Sequence, residues 1–567
     1  MGKDIHGETT FRGTRDATSR FTRRGFLGGI GAGTVGAAAI GAASAIANPE
    51  ELIAQRPPAT TVGSADRFSR LFPNLAPFVD NNIRVQTALR EMGAKGGLLD
   101  ANDDLSAGPI NLIIDPALSR NNPDNPTTTA GMTFLGQFLD HDMTFDATSR
   151  LGVATRPERS VNSRTPSFDL DSVYGRGPIA DTHLYEADRV KFKVEKTTEG
   201  GFEDLPRTAT GAAIIPDPRN DEHVIIGGMQ AAFLLFHNRV VDMLRDSGED
   251  LRLSFEDTEL AEDALTAADA EAFDDFREAA RQRIVFAAAR RLVTWHYQWI
   301  IVHEFLPTIV GSALVNEVLS GGRRYYQPEP GAASIPVEFQ MAYRFGHSIV
   351  RPSYRANMAG NGGQPFFAFI FDPAGQGQLD PVDLRGGCRA PRRFVGWQTF
   401  FNFGGSQAAN VRPNKMIDTK ISTPLFDLPL GAIASGDPPT SLPQRNLLRH
   451  LTWSLPSGQD IARAMDIPPL GPSQLRELAA FGVGFERSTP LWYYILKESE
   501  LAGGTHLAGV GARIVAEVFL GLLAADPNAY PARNPRWRPT LPGRTPGSFS
   551  MVDLLSFAGV DPASRQQ

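Results

Sequence analysis

Three short segments hold side chains whose types and spacing suit chemistry. In Gly136-Gln137-Phe138-Leu139-Asp140-His141-Asp142, Gln137 and His141 are four residues apart and share one helix face. A histidine near its pKa beside an amide can shuttle a proton. A buried His141 satisfied by a neighbouring carboxylate explains the same run; Asp140 and Asp142 flank it and point elsewhere. In Asp217-Pro218-Arg219-Asn220-Asp221-Glu222, Arg219 stands on a Pro-stiffened loop and offers directional donors to a developing anion. Glu222 falls in the first turn of the next helix, where the dipole favours a carboxylate; ordinary helix-start chemistry gives the same pattern. In the third segment, Phe339, Tyr343 and His347 recur on one stripe, and Gly346 removes bulk beside His347. Such a histidine suits either axial ligation of a flat, bulky cofactor or a place in the core.

Helices must position these residues. Thr127-Thr128-Thr129 offer a cap to a helix in which Met132, Leu135, Phe138, Leu139 and Met143 recur at helical spacing. Residues 222–245 are periodic through Ile225, Met229, Phe233, Phe236 and Val240. Residues 277–306 read as a long apolar helix with His296 and His303 in the core. A further helix runs from about Pro336 to Val350, stopped by Pro352. Residues 152–220 and 357–440 read as ordered loops, and 246–275 as an acidic surface excursion plus a helix. Sequence repeats and a β-hairpin series are not seen. The expected fold is mainly α, with one large domain (101–567), long ordered loops and very little β-sheet, preceded by an irregular arm (48–100).

The composition is globular: 567 residues, 42% hydrophobic and 21% charged, which excludes whole-chain disorder or coiled coil. The single Cys388 excludes an intrachain disulfide and any Cys-rich metal site. A charge of −7 gives no electrostatic case for nucleic acid. Arg23-Arg24-Gly25-Phe26-Leu27 resembles a twin-arginine export signature; a Gly/Ala-rich stretch follows and ends at Ala45-Ile46-Ala47. Cleavage there is expected to release a mature chain with a charge of −10 and no membrane span, into the periplasm or extracellular space.

The three segments, in order, resemble the animal-type haem peroxidases of the peroxidase–cyclooxygenase superfamily over most of residues 100–560. The matching pieces are Gly136 to Asp142, Arg219-x-x-Glu222 with Phe236-His237-Asn238-Arg239, Tyr343-Arg344-x-Gly346-His347, and Asn446-Leu447-Leu448-Arg449 with Leu455-Pro456. The resemblance implies His141 as the distal acid–base, Arg219 as the distal arginine, and Gln137 lining the same cavity and holding water or halide. It implies His347 as the proximal iron ligand, Asn446 accepting that ligand's other ring N–H, Arg449 as a propionate partner and Arg344 as proximal support. His237 stays structural. It further implies a haem b derivative, ester-linked through Asp140 and Glu222; His223 stands where one branch has a sulfonium-forming Met, so that third link is not expected. A calcium ion is implied at Asp142, Thr165, Ser167, Asp169 and Asp171.

The activity implied is oxidation of bromide, iodide, thiocyanate or phenols by hydrogen peroxide through an oxoferryl intermediate. A fatty-acid dioxygenase is the alternative within the superfamily. It would place a radical-forming Tyr three residues before the proximal His, where this chain has Arg344; Tyr343 is one place off, toward a different face. A non-catalytic adhesion or matrix protein would lose His141, Arg219 or His347, and all three are present.

Overall fold

The computed structural model describes residues 66–566 apart from 119, 147, 198–200, 247–269, 376, 434 and 435, with backbone alone for 270–281. The expected export segment and most of the acidic excursion lie outside the described residues. Eight helices matter for the site: α1 (Ile83–Met92), α2 (Gly131–Met143), α3 (Val224–Asp246), α4 (Ala270–Ile300), α5 (Val337–Tyr343), α6 (Leu442–Thr452), α7 (Leu491–Leu501) and α8 (Gly509–Ala525). Strands form only two-stranded pairings among the described residues. The mainly α expectation holds.

The apolar periodicity places the core as expected. Phe138 of α2 stacks on Phe233 of α3, with ring centroids 4.5 Å apart, a contact worth about 0.5–1.5 kcal/mol beyond the area it buries. Phe519 of α8 meets Phe168 at 4.8 Å and Tyr343 of α5 at 5.2 Å. α3 is long and apolar enough to cross a membrane by composition, a property the sequence reading did not credit it with; most of it is buried inside the fold.

Element boundaries differ for physical reasons. Thr127–Thr129 do not cap α2; they end a strand, Asp124–Thr129, paired antiparallel with Pro413–Lys415, which suits β-branched residues. The start of α2 is satisfied by backbone instead: Gly131 N–H donates to the Phe400 carbonyl at 3.0 Å. The arm contains α1, whose Asn82 cap accepts from Val85 N–H and whose Val85, Ala88, Leu89 and Met92 are buried. A hairpin lies within the loop-rich 357–440 region: Ser353–Asn361 pairs with Gln364–Phe369. Its turn, Gly362-Gly363, needs positive φ at both residues, 60° and 84°, the condition of a tight two-residue hairpin.

Two helices change pitch beside the site. α4 passes into a π turn at Ile301–Phe305. Pro307 follows; it has no N–H to give to His303 and its ring crowds that carbonyl, which favours a bulge. The turn puts Phe305 inside and His303 outside, so His303 is exposed and stacked on Trp299, not in the core as expected. α5 tightens into a 3-10 turn at Arg344–His347, so His347 is not on an α-helix. The helix expected to start at 222 begins at Val224, leaving Glu222 and His223 in the connection from the 3-10 turn Pro218–Asp221. Val224 N–H donates to the Leu384 carbonyl, and Gly386 N–H to the Glu222 carbonyl. A Cβ on Gly386 would lie 1.5 Å from the Asp221 carbonyl oxygen, so only glycine lets these strands of backbone meet.

Candidate functional site

One cavity of about 290 Å³ collects nearly all the expected residues: Gln137, Asp140, His141, Arg219, Glu222, Arg344, His347 and Arg449 line it, with Gly346, Tyr343 and Phe305. α2 supplies Gln137, Asp140 and His141, the 3-10 turn before α3 supplies Arg219, and the turn after α5 supplies His347. Asp140 therefore faces the cavity with His141, against the expectation that it points elsewhere. Tyr343 also lines it, and its hydroxyl donates to the Gly136 carbonyl at 2.9 Å; it is not turned to a different face.

His141 is 4% exposed. Its Nδ1 lies 2.8 Å from Asn220 Oδ1. Asn220 Nδ2 in turn donates to Gln230 Oε1 at 2.9 Å. With the Asn220 amide oriented that way, Nδ1 of His141 carries the proton and Nε2 is left as a base. Burial, with the charge of Arg219, pushes the His141 pKa down to about 3, so the ring is neutral and ready to accept. Arg219 is clamped by Asp217, donating from Nε at 3.0 Å and Nη2 at 2.8 Å, and Nη2 also reaches the His141 carbonyl at 3.0 Å. Burial pushes the Asp217 carboxyl up, but Arg219 and Arg164 together hold it well below the carboxylate range. Arg164 donates to Asp217 at 2.8 Å and lies 3.6 Å from Asp171. Asn220, Gln230, Asp217 and Arg164 were not singled out in the sequence. Arg164 and Asp217 are 53 residues apart, and no local pattern joins them.

On the other histidine the structure corrects one role. Asn446 meets His347 Nδ1 through its amide nitrogen at 2.8 Å, not its oxygen. The oxygen is taken by Arg344 Nη1, also at 2.8 Å, and a guanidinium can only donate. Arg344 is thereby tied to Asn446. Burial, then Arg344, lowers the His347 pKa to about 3, leaving a neutral imidazole. With Asn446 donating to Nδ1 the ring proton sits on Nε2, so binding a metal through Nε2 requires the proton to move to Nδ1 and the Asn446 amide to turn over. Arg449 at the cavity wall pairs with Asp146 at 2.9 Å.

A flat prosthetic group fits these residues. A Cβ on Gly346 would meet nothing within 4 Å, so protein packing does not demand glycine there. The cavity offers a neutral imidazole, Phe134, Phe305, Phe345 and Phe371 as apolar walls, and arginines at 344, 445 and 449 for carboxylates. Asp140 and Glu222 are both driven up by burial, Glu222 to about 8.

Behind His141, carboxylate oxygens of Asp142, Asp169 and Asp171 come within 4.8 Å of one another. Burial raises all three; repulsion from neighbouring carboxylates adds to it at Asp142 and Asp169, and Asp169 reaches about 7. Asp171 Oδ1 is buried with no hydrogen-bond partner. The Thr165 hydroxyl donates to Asp171 Oδ2 at 3.1 Å, its carbonyl accepts from Ser167 N–H, and the Ser167 hydroxyl donates to Asp526. An oxygen-only, acid-rich shell suits a hard cation. His237 is structural as expected, bonded to the Tyr174 hydroxyl and the Val190 carbonyl. His296 is buried in the core.

Residues 146–382 match the family model described as animal haem peroxidase. The match contains Arg219, Glu222 and His347, begins after His141 and ends before Asn446. Peroxidase A from Dictyostelium discoideum is similar in structure, with a TM-score of 0.52 at 16% identity, covering 86% of this chain and 93% of that one; at that identity the likeness concerns the fold. A fatty acid alpha-dioxygenase from Arabidopsis thaliana gives a TM-score of 0.48 at 14% identity, covering 80% and 72%. No curated protein matches the sequence.

Proposed function

The chain belongs to the peroxidase–cyclooxygenase superfamily, and from that premise we propose that it is an exported haem peroxidase that uses hydrogen peroxide to oxidise small anions (bromide, iodide, thiocyanate) or phenols. The observation that carries this reading is a neutral His141, fixed with Nε2 as a base, sharing a cavity with a clamped Arg219 and with His347. His347 would hold haem through its ring nitrogen, with Arg449 toward the carboxylates and Asp140 and Glu222 as ester partners. Haem held there supplies the redox chemistry by which peroxide is reduced and a donor oxidised. His141 Nε2 takes the proton from peroxide and returns it to the departing oxygen, so one group serves as base and then acid. The Arg219 guanidinium faces the charge that develops as the bond polarises, and Asp217 keeps it from following that charge. Residues 1–47, with Arg23-Arg24, would direct export.

The test is a donor profile of the haem-loaded protein. Peroxide-dependent oxidation of thiocyanate, bromide or a phenol supports the reading. Oxygen uptake with a fatty acid, needing no stoichiometric peroxide, would replace it with the dioxygenase alternative.

Two further results are expected. Asn220→Ala frees His141 to carry its proton on Nε2, and should slow the reaction with peroxide by about 10–100-fold at unchanged haem content; a rate within two-fold of wild type contradicts the fixed-tautomer role. Calcium bound at Asp142, Asp169 and Asp171 fixes the end of α2 that carries His141. Restoring it to chelator-treated protein at about a hundred times its Kd should add about 2.7 kcal/mol, read as a rise in Tm that Asp169→Asn abolishes. An unchanged Tm would remove the ion from the account.

A further inference from the structure

We propose that His223 is a positioning residue that fixes the Gln137 amide and thereby gives the cavity its preference for small anions over neutral phenols. This role rests on the peroxidase reading of the same cavity. His223 is 3% exposed, wedged edge-on to Phe134 at 5.2 Å and Phe371 at 6.2 Å. Its Nδ1 accepts the Ile226 backbone N–H at 3.2 Å. A backbone N–H can only donate, so the ring proton is on Nε2, and Nε2 donates to Gln137 Oε1 at 2.9 Å. Gln137 Nε2 then donates to Glu222 Oε2 at 3.0 Å.

The chain runs in one direction, from α3 backbone to His223, to Gln137, to Glu222. Turning the Gln137 amide over would set its NH2 against the His223 N–H and, with Glu222 esterified and so without a proton, its oxygen against a carboxyl oxygen. Each is an unsatisfied contact in a buried site. The amide oxygen is therefore occupied, and among the described residues the second Gln137 N–H has no protein acceptor. Gln137 and Arg219 both line the cavity, so the amide and the guanidinium are two donors in the wall of one cavity. A thiocyanate or bromide ion can use both. A neutral phenol binds through its ring and donates its own O–H, and has no need of that N–H. His223 does for Gln137 what Asn220 does for His141, and both are anchored on the first two turns of α3, at Ile226 and Gln230.

The test compares His223→Phe, which keeps a flat ring against Phe134 and Phe371 and removes the donor, with His223→Gln, which keeps an N–H. In haem-loaded ferric protein, thiocyanate affinity is read from the perturbed absorption spectrum without turnover. His223→Phe should weaken the thiocyanate Kd by ten- to a hundred-fold and lower the thiocyanate-to-phenol ratio of kcat/KM by a similar factor, through KM. His223→Gln should recover most of both. The Gln137→Leu variant should show the same weakening, with no additional loss in the double variant; if His223→Phe loads haem poorly, His223→Leu takes its place in both comparisons. Unchanged affinity in His223→Phe, a His223→Gln that behaves like His223→Phe, or additive losses in the double variant would overturn the role. A wild-type protein that oxidises phenols and does not bind thiocyanate overturns it and leaves the peroxidase reading standing; one that does neither overturns both.

Discussion

Replacing His347 by alanine is expected to yield a folded protein that retains no haem. The side chain faces the cavity from the 3-10 turn that follows α5, and its removal takes away the imidazole proposed to hold iron. The fold does not depend on it, because the turn is anchored elsewhere: Trp492 Nε1 donates to the Arg344 carbonyl at 3.1 Å, and the Ser348 hydroxyl to the Asp418 carbonyl at 2.6 Å. Haem content per chain, measured after denaturation, should fall to background while Tm measured without haem stays near that of the wild-type apoprotein. Added imidazole should restore part of the haem binding to the smaller variant His347→Gly. Haem content equal to wild type in His347→Ala would refute the ligand assignment.

The second large effect is at His141. His141→Ala should lower kcat/KM for peroxide by about 10²–10⁴-fold, the range general acid–base catalysis supplies, with haem content unchanged. Arg219→Ala should also be slow, yet the two losses should not add, because both groups act on the same bond as it polarises. The Arg219 Nη2 contact with the His141 carbonyl couples them further. His141→Ala with wild-type reactivity toward peroxide would mean that another group handles the proton.

What could be read in the sequence follows from how local each signal is. Gln137 and His141 share a helix face because they are four residues apart, and Arg219 precedes a periodic helix, so both could be singled out from spacing. The cavity-lining role of Asp140 follows from the same helix, yet proximity to His141 alone pointed away from it. The tautomer of His141 depends on Asn220 and Gln230, ten residues apart and meeting only because α3 starts at Val224 and packs against α2. Arg164 reaches both Asp217 and Asp171, so it links the clamp on Arg219 to the acidic cluster. Such long-range ion pairs leave no periodic trace. The Asn446 orientation could not be read because it is decided by Arg344, 102 residues earlier.

Boundary errors have equally specific sources. Thr127–Thr129 satisfy a cap pattern and a strand pattern alike, and pairing with Pro413–Lys415 decides between them. Pro352 marks a stop for the helix expected from about Pro336 to Val350, whereas α5 already tightens at Arg344, before Gly346. His303 belongs to an apolar helix by periodicity, and the π turn ahead of Pro307 rotates it out to the surface. In each case a tertiary partner or a single proline overrides an otherwise sound local pattern.

In the proposed mechanism one cavity holds haem on His347 and activates peroxide with His141 and Arg219. Stopped-flow absorbance of the haem-loaded protein, mixed with about one equivalent of peroxide, tests it most directly. The expected result is a fast loss of Soret intensity that is reversed when thiocyanate or a phenol is added, and that is slowed by orders of magnitude in His141→Ala. A Soret band that does not respond to peroxide in a fully haem-loaded wild-type protein would contradict it.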